Sequence, residues 1–305
     1  MRSTLTNDPK TLKKRRLISS IVQNITFLAA SASTIAVIII LATLINESIS
    51  FFEKVNIFEY LTGTEWTILF EEKKFGILPL LNATLLSSFV ALALAVPIGL
   101  AIAIYLGEYA GPKIKNVLKP IIELLAGIPT VVYGYFALYF VTPQFLRLFL
   151  PDIQINNVLA AGLMIGFLII PIVASISEDA IRSVPLDLRL AAYAVGARKS
   201  EVVTKIVIPA ALSGIFASII LAFGRAMGET MIVAIAAGFR PILSFDVRES
   251  METMTGFIAQ VATGDAPHGT IEYNSLFAVG LTLLLMTYPL NLIALRVLKK
   301  WAIKY

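Results

Sequence analysis

Six stretches of this sequence contain no Asp, Glu, Lys or Arg, and each is 19 residues or longer. About 20 apolar helical residues cross the ~30 Å hydrocarbon core of a membrane, and a helix satisfies its own backbone hydrogen bonds there. The apolar runs are continuous rather than alternating, which argues against barrel strands. The sequence therefore predicts an all-α integral membrane protein with six transmembrane helices, at residues 17–46, 75–107, 124–146, 153–177, 206–224 and 273–295.

Composition agrees with a membrane protein and excludes several kinds of site. Hydrophobic residues make up 57 % of the chain and charged residues 15 %, against roughly 45–50 % and 25 % in soluble domains. Cysteine is absent and His268 is the single histidine, so the chain offers no thiolate ligand, no histidine cluster and no cysteine nucleophile. We expect no metal, no cofactor and no covalent catalysis in this chain.

Lysine and arginine are distributed unevenly between the loops. The segments 1–16, 108–123, 178–205 and 296–305 hold eighteen of them, whereas the alternate segments hold six and Arg225 falls beside a span. Cytoplasmic loops of membrane proteins carry such an excess. We therefore expect both termini to be cytoplasmic, and we interpret the net charge of +5 as a topology signal rather than a nucleic-acid surface. The basic start is a topology anchor or a contact with membrane lipid.

The two longer external loops contain apolar side chains as well as charges. Residues 47–74 combine six glutamates with aromatic residues, which fits either docking of a soluble partner or anchoring at the membrane interface. Residues 240–272 place four apolar side chains at spacings of three and four, which predicts an amphipathic helix lying on the bundle. The aromatic residues include Phe51, Phe52, Phe58, Tyr60 and Trp66, and the four apolar ones are Met251, Met254, Ile258 and Val261.

The cytoplasmic loop before the fifth span predicts two short helices. Pro185 suits the first turn of one helix, Gly196 suits its left-handed end, and Ser200 suits the N-cap of the next. Such a protrusion fits either the groove of a partner or the lipid headgroups. The first helix carries an apolar stripe, with Asp187 and Arg189 away from it, formed by Leu188, Ala191, Ala192 and Val195.

The spacing in this loop resembles the EAA loop of ABC importer permeases. Ala191-Ala192 is followed by three residues, Gly196, nine residues and then Ile206-Val207-Ile208-Pro209, although Leu190 stands at the usual Glu position and Ile208 at the usual Leu. The resemblance implies a coupling helix that docks on a cytoplasmic ATPase. No G-x-x-x-x-G-K-S/T loop is present, so ATP and Mg would bind to the partner ATPase. The coupling residues would be Leu188, Ala191, Ala192, Gly196 and Pro209.

Three ionisable residues lie within or beside the predicted spans. Arg225 and Glu229 are four residues apart in GRAMGETM and share one helix face. They form either a structural pair or a site in the substrate path, where the Arg fork binds an oxyanion. Glu229 would then orient Arg225 or accept a hydrogen bond from a protonated oxyanion. Glu123 lies near Lys119, with which we expect it to pair, and Gly127-Ile128-Pro129 marks a hinge or close helix packing.

Three stretches are similar to a narrower family, the permease subunits of the phosphate ABC importer called the Pst system. They are FGILPLLNATLLSS at 75–88, ELLAGIPTVVYG at 123–134 and GRAMGETMIV at 224–233, and the first looks more like the PstC subunit than PstA. The resemblance implies a type I (MetI-like) permease bundle and phosphate as the substrate. Arg225 and Glu229 are then the expected path residues, with Asn82, Glu123 and Thr130 as secondary candidates.

The same resemblance implies the partners and the organisation of the chain. We expect a second permease (PstA-like), a dimeric ATPase subunit (PstB-like) and an external phosphate-binding protein (PstS-like), in the plasma (inner) membrane of a prokaryote. The predicted parts are a basic tail (1–16), a first transmembrane helix (17–46), an external loop (47–74) and a five-helix permease core (75–298) with the coupling loop 178–209 and the external loop 240–272. The alternatives are a permease for molybdate or sulfate, and an ATP-independent secondary transporter or channel.

Overall fold

The computed structural model describes the backbone of residues 9–68, 72–264, 266–267 and 269–301, and the side chains of 18–68, 72–264, 266–267 and 269–296. The first eight residues of the predicted tail, Glu71 and His268 lie outside the described residues. Within these ranges the protein is all-helical, with one isolated antiparallel bridge between Trp66 and Phe75. The predicted all-α class is therefore confirmed for the described residues.

Eleven helices follow one another in the described part of the chain. Three of them include a π-helical segment: Tyr105–Tyr109 in α3, Ala137–Leu146 in α5 and Val203–Val207 in α8. The helices are α1 (Pro9–Phe52), α2 (Ile57–Thr62), α3 (Leu78–Tyr109), α4 (Pro112–Gly127), α5 (Thr130–Phe149), α6 (Val158–Arg182), α7 (Leu186–Ala194), α8 (Lys199–Met227), α9 (Met231–Ala236), α10 (Met254–Thr263) and α11 (Ile271–Trp301).

Five of the described helices, α1, α3, α6, α8 and α11, are long and apolar enough to cross a membrane, and the bent pair α4 and α5 adds a sixth if it is counted as one broken span. These two helices meet at a bend of 83°, so the predicted continuous span 124–146 is broken. Pro129 precedes α5, and Ile128 is extended, as expected for a residue before proline. The interruption at Gly127-Ile128-Pro129 is confirmed as a bend. Close packing is not its cause, because a Cβ on Gly127 would meet no atom within 4 Å.

The centre of the bundle is the contact between α3 and α6, on which α5, α8 and α9 pack. Glycine permits the close approach: a Cβ on Gly99 would stand 2.7 Å from Val173, and one on Gly162 would stand 2.7 Å from Val90. Helix α1 lies at the edge, packed along α11, and most of its apolar side chains are exposed. That exposure suits a surface in contact with lipid.

The segments between spans gather at two ends of the bundle. We call the end that carries α2, α10 and the segments around them the loop end, and the end that carries α4 and α7 the basic end. At the loop end Phe51, Tyr60 and Trp66 are fully buried, and their rings pack edge to face with Phe75 and Phe257. Both predicted roles for the loop aromatics are wrong for these three residues, because they form a core under the loop. Phe58 is exposed.

Helix α10 confirms part of the predicted amphipathic helix between residues 240 and 272. It starts at Met254 because Thr253 caps it, with the Thr253 hydroxyl accepting a hydrogen bond from Gly256 N–H at 3.0 Å. Met254 and Val261 are buried against the aromatic core, and Ile258 packs beside them. Met251 is buried too, but it precedes the helix.

Candidate functional site

Arg225 and Glu229 lie on either side of a break between two helices. Helix α8 ends at Met227 and α9 begins at Met231, and Arg225 Nη1 is 2.7 Å from a carboxylate oxygen of Glu229. A helix C-terminus favours a cation and a helix N-terminus favours an anion. The break therefore stabilises both charges at their own helix ends and places them face to face. The predicted pairing is present, but Glu229 lies in the break and not on the same helix as Arg225.

The two members of this pair differ strongly in exposure. The side chain of Glu229 is 3 % exposed, whereas that of Arg225 is 41 % exposed. Glu229 is also held through its backbone, because its carbonyl oxygen accepts a hydrogen bond of 2.6 Å from the Thr255 hydroxyl. Arg225 has no other partner among the described residues. A fixed, buried carboxylate thus orients a guanidinium whose remaining N–H groups face an open surface.

Leu221, one turn before Arg225 on the same face of α8, is also exposed. Phe216 is exposed on the opposite face of α8. A guanidinium on a membrane-spanning helix faces protein or water rather than lipid, because a charge in the hydrocarbon costs at least ~2.5 kcal/mol. On α8, Arg225 therefore requires a protein or aqueous environment rather than lipid.

The secondary candidates do not join this pair in the described structure. Asn82 is buried, and its side-chain amide donates to the carbonyl of Ser244, so it holds the loop between α9 and α10. Thr130 is the first residue of α5, directly after the bend. Glu123 lies on α4 at the basic end.

The predicted pair of Glu123 with Lys119 is wrong. Lys119 Nζ lies 3.3 Å from a carboxylate oxygen of Glu178, and Lys115 Nζ lies 2.7 Å from the other. Glu178 is fully buried, and a buried carboxylate requires cations more strongly than an exposed one. Glu123 instead lines a cavity of about 700 Å³ together with Lys115, Lys119 and Arg182.

The predicted coupling helix forms, but its predicted apolar stripe does not lie on a single exposed face. Helix α7 spans Leu186–Ala194, and Gly196 ends it with a φ of 86°, which is the left-handed conformation expected of it. The next helix starts at Lys199, one residue before Ser200, and the Glu201 carboxylate accepts the Arg198 N–H at 2.9 Å. The π segment before Ile208 leads α8 into Pro209, which has no N–H to donate.

The apolar stripe of α7 is split between two faces. Ala192 is 5 % exposed and Leu188 packs beside it, both against the chain's own core at the basic end. Ala191 is exposed, and Val195 is 85 % exposed. The predicted stripe therefore does not form one exposed face, because Ala192 packs inside the chain and Leu188 is partly buried beside it. The exposed apolar set is Leu186, Leu190, Ala191, Tyr193 and Val195, which we call the α7 patch.

Glu252, which the sequence prediction missed, is a buried acid at the loop end. It is 3 % exposed and its Oε1 has no hydrogen-bond partner. Burial raises the pKa of Glu252 to about 8. It lines a cavity of about 330 Å³ with Trp66, Arg240 and Gln260. Neither Glu252 nor Glu178 stands out in the sequence, because each appears as one more acid beside a loop.

Together, these features define a class of protein: a helical membrane subunit with a charged pair at a helix break and an exposed apolar protrusion at one end. The comparisons narrow the class. The profile of the family described as "Binding-protein-dependent transport system inner membrane component" matches residues 95–301. The chain belongs to this family of permeases.

Curated relatives from several bacteria are consistent with membership of this permease family. The chain is 34 % identical over 230 residues to the probable ABC transporter permease protein YqgH of Bacillus subtilis, covering 75 % of this chain and 74 % of the relative. It is 31 % identical over 256 residues to the phosphate transport system permease protein PstC of Mesorhizobium japonicum, covering 78 % and 77 %. The PstC of Haemophilus influenzae is 31 % identical over 271 residues, covering 82 % and 84 %. These relatives are transport permease subunits.

Solved structures support the fold. A chain of a bacterial ABC transporter involved in the import of the acidic polysaccharide alginate aligns with a TM-score of 0.62 and 16 % identity, covering 95 % of this chain and 100 % of that one. A chain of the inward-facing methionine ABC transporter MetNI aligns with a TM-score of 0.54 and 18 % identity, covering 74 % and 94 %. The fold is therefore that of ABC importer permeases.

Proposed function

We propose that this chain is a transmembrane permease subunit of an ATP-driven phosphate importer. Relatives at 31 % identity over most of the chain are phosphate transport permeases. The structural observation that carries the proposal is the half-exposed guanidinium of Arg225, fixed by buried Glu229. Phosphate accepts bidentate hydrogen bonds from a guanidinium.

The path for phosphate runs between this chain and a second permease subunit. In this proposal the second permease covers the open face of α8, since Arg225 must face protein or water within the membrane. Phosphate binds the N–H groups of Arg225 that Glu229 leaves free. Glu229 acts as a positioning residue, because its carboxylate is buried against Arg225 and the start of α9.

Coupling to ATP uses the α7 patch. A helix that presents apolar side chains to solvent at one end of a membrane bundle suits the groove of a soluble partner. The chain has no phosphate-binding loop of the P-loop type, so a separate dimeric ATPase binds and hydrolyses ATP with Mg²⁺. The basic end faces the cytoplasm, because cytoplasmic segments of membrane proteins carry an excess of Lys and Arg. Both termini lie on that side. A phosphate-binding protein delivers the anion at the loop end.

Arg225→Lys tests the substrate path. The variant keeps the positive charge but loses the planar fork, so we expect phosphate uptake into proteoliposomes that hold the complete importer to fall at least tenfold. Assembly with the second permease and the ATPase should be unchanged. Arg248→Lys is the matched control, because Arg248 is exposed at the loop end and pairs with Asp246.

Normal uptake by Arg225→Lys would remove Arg225 from the path. Competition by unlabelled anions tests the substrate, since excess phosphate should abolish uptake of labelled phosphate while sulfate and molybdate should not. Equal competition by sulfate or molybdate would contradict phosphate as the preferred substrate.

A further inference from the structure

The Arg189 side chain is turned into the protein, although the sequence pattern of α7 places it away from the apolar stripe. Its side chain is 14 % exposed, and Nε and Nη2 donate to one carboxylate oxygen of Glu108 at 3.2 and 2.8 Å. The Glu108 side chain is 9 % exposed and belongs to the π-helical last turn of α3. A buried ion pair thus joins α7 to the end of α3.

The same guanidinium also binds the end of α6. Nη2 donates to the carbonyl oxygen of Ile181 at 2.8 Å, and Nη1 donates to the carbonyl oxygen of Val184, which follows the end of α6. The last carbonyls of a helix have no partner within the helix and favour a cation. Arg189 therefore holds three elements together, and the fixed fork geometry of arginine suits three simultaneous contacts better than a lysine ammonium.

The elements that Arg189 joins are in close contact. A Cβ on Gly107 of α3 would stand 2.7 Å from Ile181 of α6. Ile181, Val184 and Ala192 share one buried cluster. A displacement of α7 at this end must therefore move the ends of α3 and α6 with it, because close-packed interiors transmit strain.

Helix α6 in turn is tightly joined to α8, which holds Arg225 near its far end. The hydroxyls of Ser177 and Ser218 are 2.8 Å apart, and a Cβ on Gly214 would stand 2.3 Å from Ala180. A continuous set of contacts thus runs from α7 through Arg189 to α6 and α8.

We infer that Arg189 is a positioning residue that transfers displacement of the coupling helix α7 to α3 and α6 through Glu108 and the end of α6. This inference rests on the proposed function, since it needs an ATPase that moves α7. The α7 patch provides the contact with the ATPase, and Arg189 passes the resulting movement of α7 to the ends of α3 and α6.

The test measures phosphate uptake and ATP hydrolysis together in proteoliposomes that hold the complete importer. Arg189→Gln and Glu108→Gln should each lower the phosphate transported per ATP at least fivefold, with ATPase copurification retained and ATP hydrolysis within about twofold of the parent. The double variant should be no worse than Arg189→Gln, because the two residues act through one contact. Arg198→Gln is the control, since Arg198 is an exposed arginine of the same loop.

Each other outcome overturns the inference. Parental transport per ATP in Arg189→Gln and Glu108→Gln would show that the cluster of apolar residues is sufficient. Additive losses in the double variant would show that the two residues act separately. Loss of assembly in both single variants would show a structural role only. If the parent complex imports no phosphate at all, the proposed function fails instead, and the variants are not the cause.

Discussion

Glu252→Gln should stabilise the loop end of the bundle at neutral pH and remove much of its dependence on pH. Burial raises the pKa of the Glu252 carboxyl from 4.5 to about 8, so the folded protein retains a proton that the unfolded chain releases near pH 4.5. Between these two values folding must take up a proton. Stability therefore falls as pH rises from about 4.5 to about 8 and is level above that window.

The size of the effect follows from the shift. One pH unit within the window corresponds to about 1.4 kcal/mol, and pH 7 lies well above the ordinary pKa of 4.5. The carboxyl group thus costs about 3 kcal/mol of folding free energy at pH 7. Gln has a similar shape and no charge to bury, so the variant avoids this cost.

Trp66 provides the measurement. It is buried, lines the same cavity as Glu252 and contacts Phe257 at a centroid distance of 4.9 Å. The chain has two tryptophans, so a Trp301→Phe background leaves Trp66 as the only source of indole emission. Thermal melts followed by this emission at pH 5 and pH 8 should show a lower midpoint at pH 8 for the background protein. Glu252→Gln should reduce the difference between the two midpoints.

Glu53→Gln is the control, because Glu53 is an exposed acid at the same end, and it should keep the pH dependence of the background protein. The reasoning fails if Glu252→Gln keeps the full difference between pH 5 and pH 8, or if it melts below the background protein at pH 8. Either result would mean that the folded structure stabilises the ionised carboxylate.

Two further predictions concern α7 and the contact between α6 and α8. Val195→Asp should weaken copurification of the ATPase without changing the melting temperature of the isolated chain. Ala192→Asp should lower that melting temperature, because a buried unpaired charge costs several kcal/mol. Equal effects of the two variants on folding would contradict the assignment of Val195 to the exposed face and Ala192 to the buried one. Gly214→Leu should destabilise the bundle by about 1–3 kcal/mol, because a Cβ on Gly214 would stand 2.3 Å from Ala180. Chemical denaturation in detergent measures this change. An unchanged denaturation midpoint would show that α6 and α8 separate easily.

Much of the fold could be predicted from residues that are close in sequence. Charge-free windows identified the five long apolar helices and the region of the bent pair α4 and α5, because the length and apolarity of a segment decide whether it can cross a membrane. The pairing of Arg225 with Glu229 was predicted from their spacing of four, although α8 ends before Glu229. The bend before α5 followed from Pro129, which restricts the residue before it.

Errors arose where the prediction depended on which way a helix was turned. The stripe of α7 was correctly seen as apolar, but Leu188 and Ala192 pack inward and Val195 points out. Lys119 was expected to bind Glu123 and instead binds Glu178 on another helix. Helical spacing shows which residues share a face, but it does not show what that face contacts.

The sequence by itself determined the apolar spans, the spacing that pairs Arg225 with Glu229, the coupling loop and the resemblance to importer permeases, because each depends on local composition or spacing. Only the tertiary structure decided that Glu252 and Glu178 are buried, that the loop aromatics form a core, and that Arg189 joins α7 to α3 and α6. The physical reason is that the environment of a side chain is set by helices distant in sequence, and their packing decides which charges are paired and which face solvent.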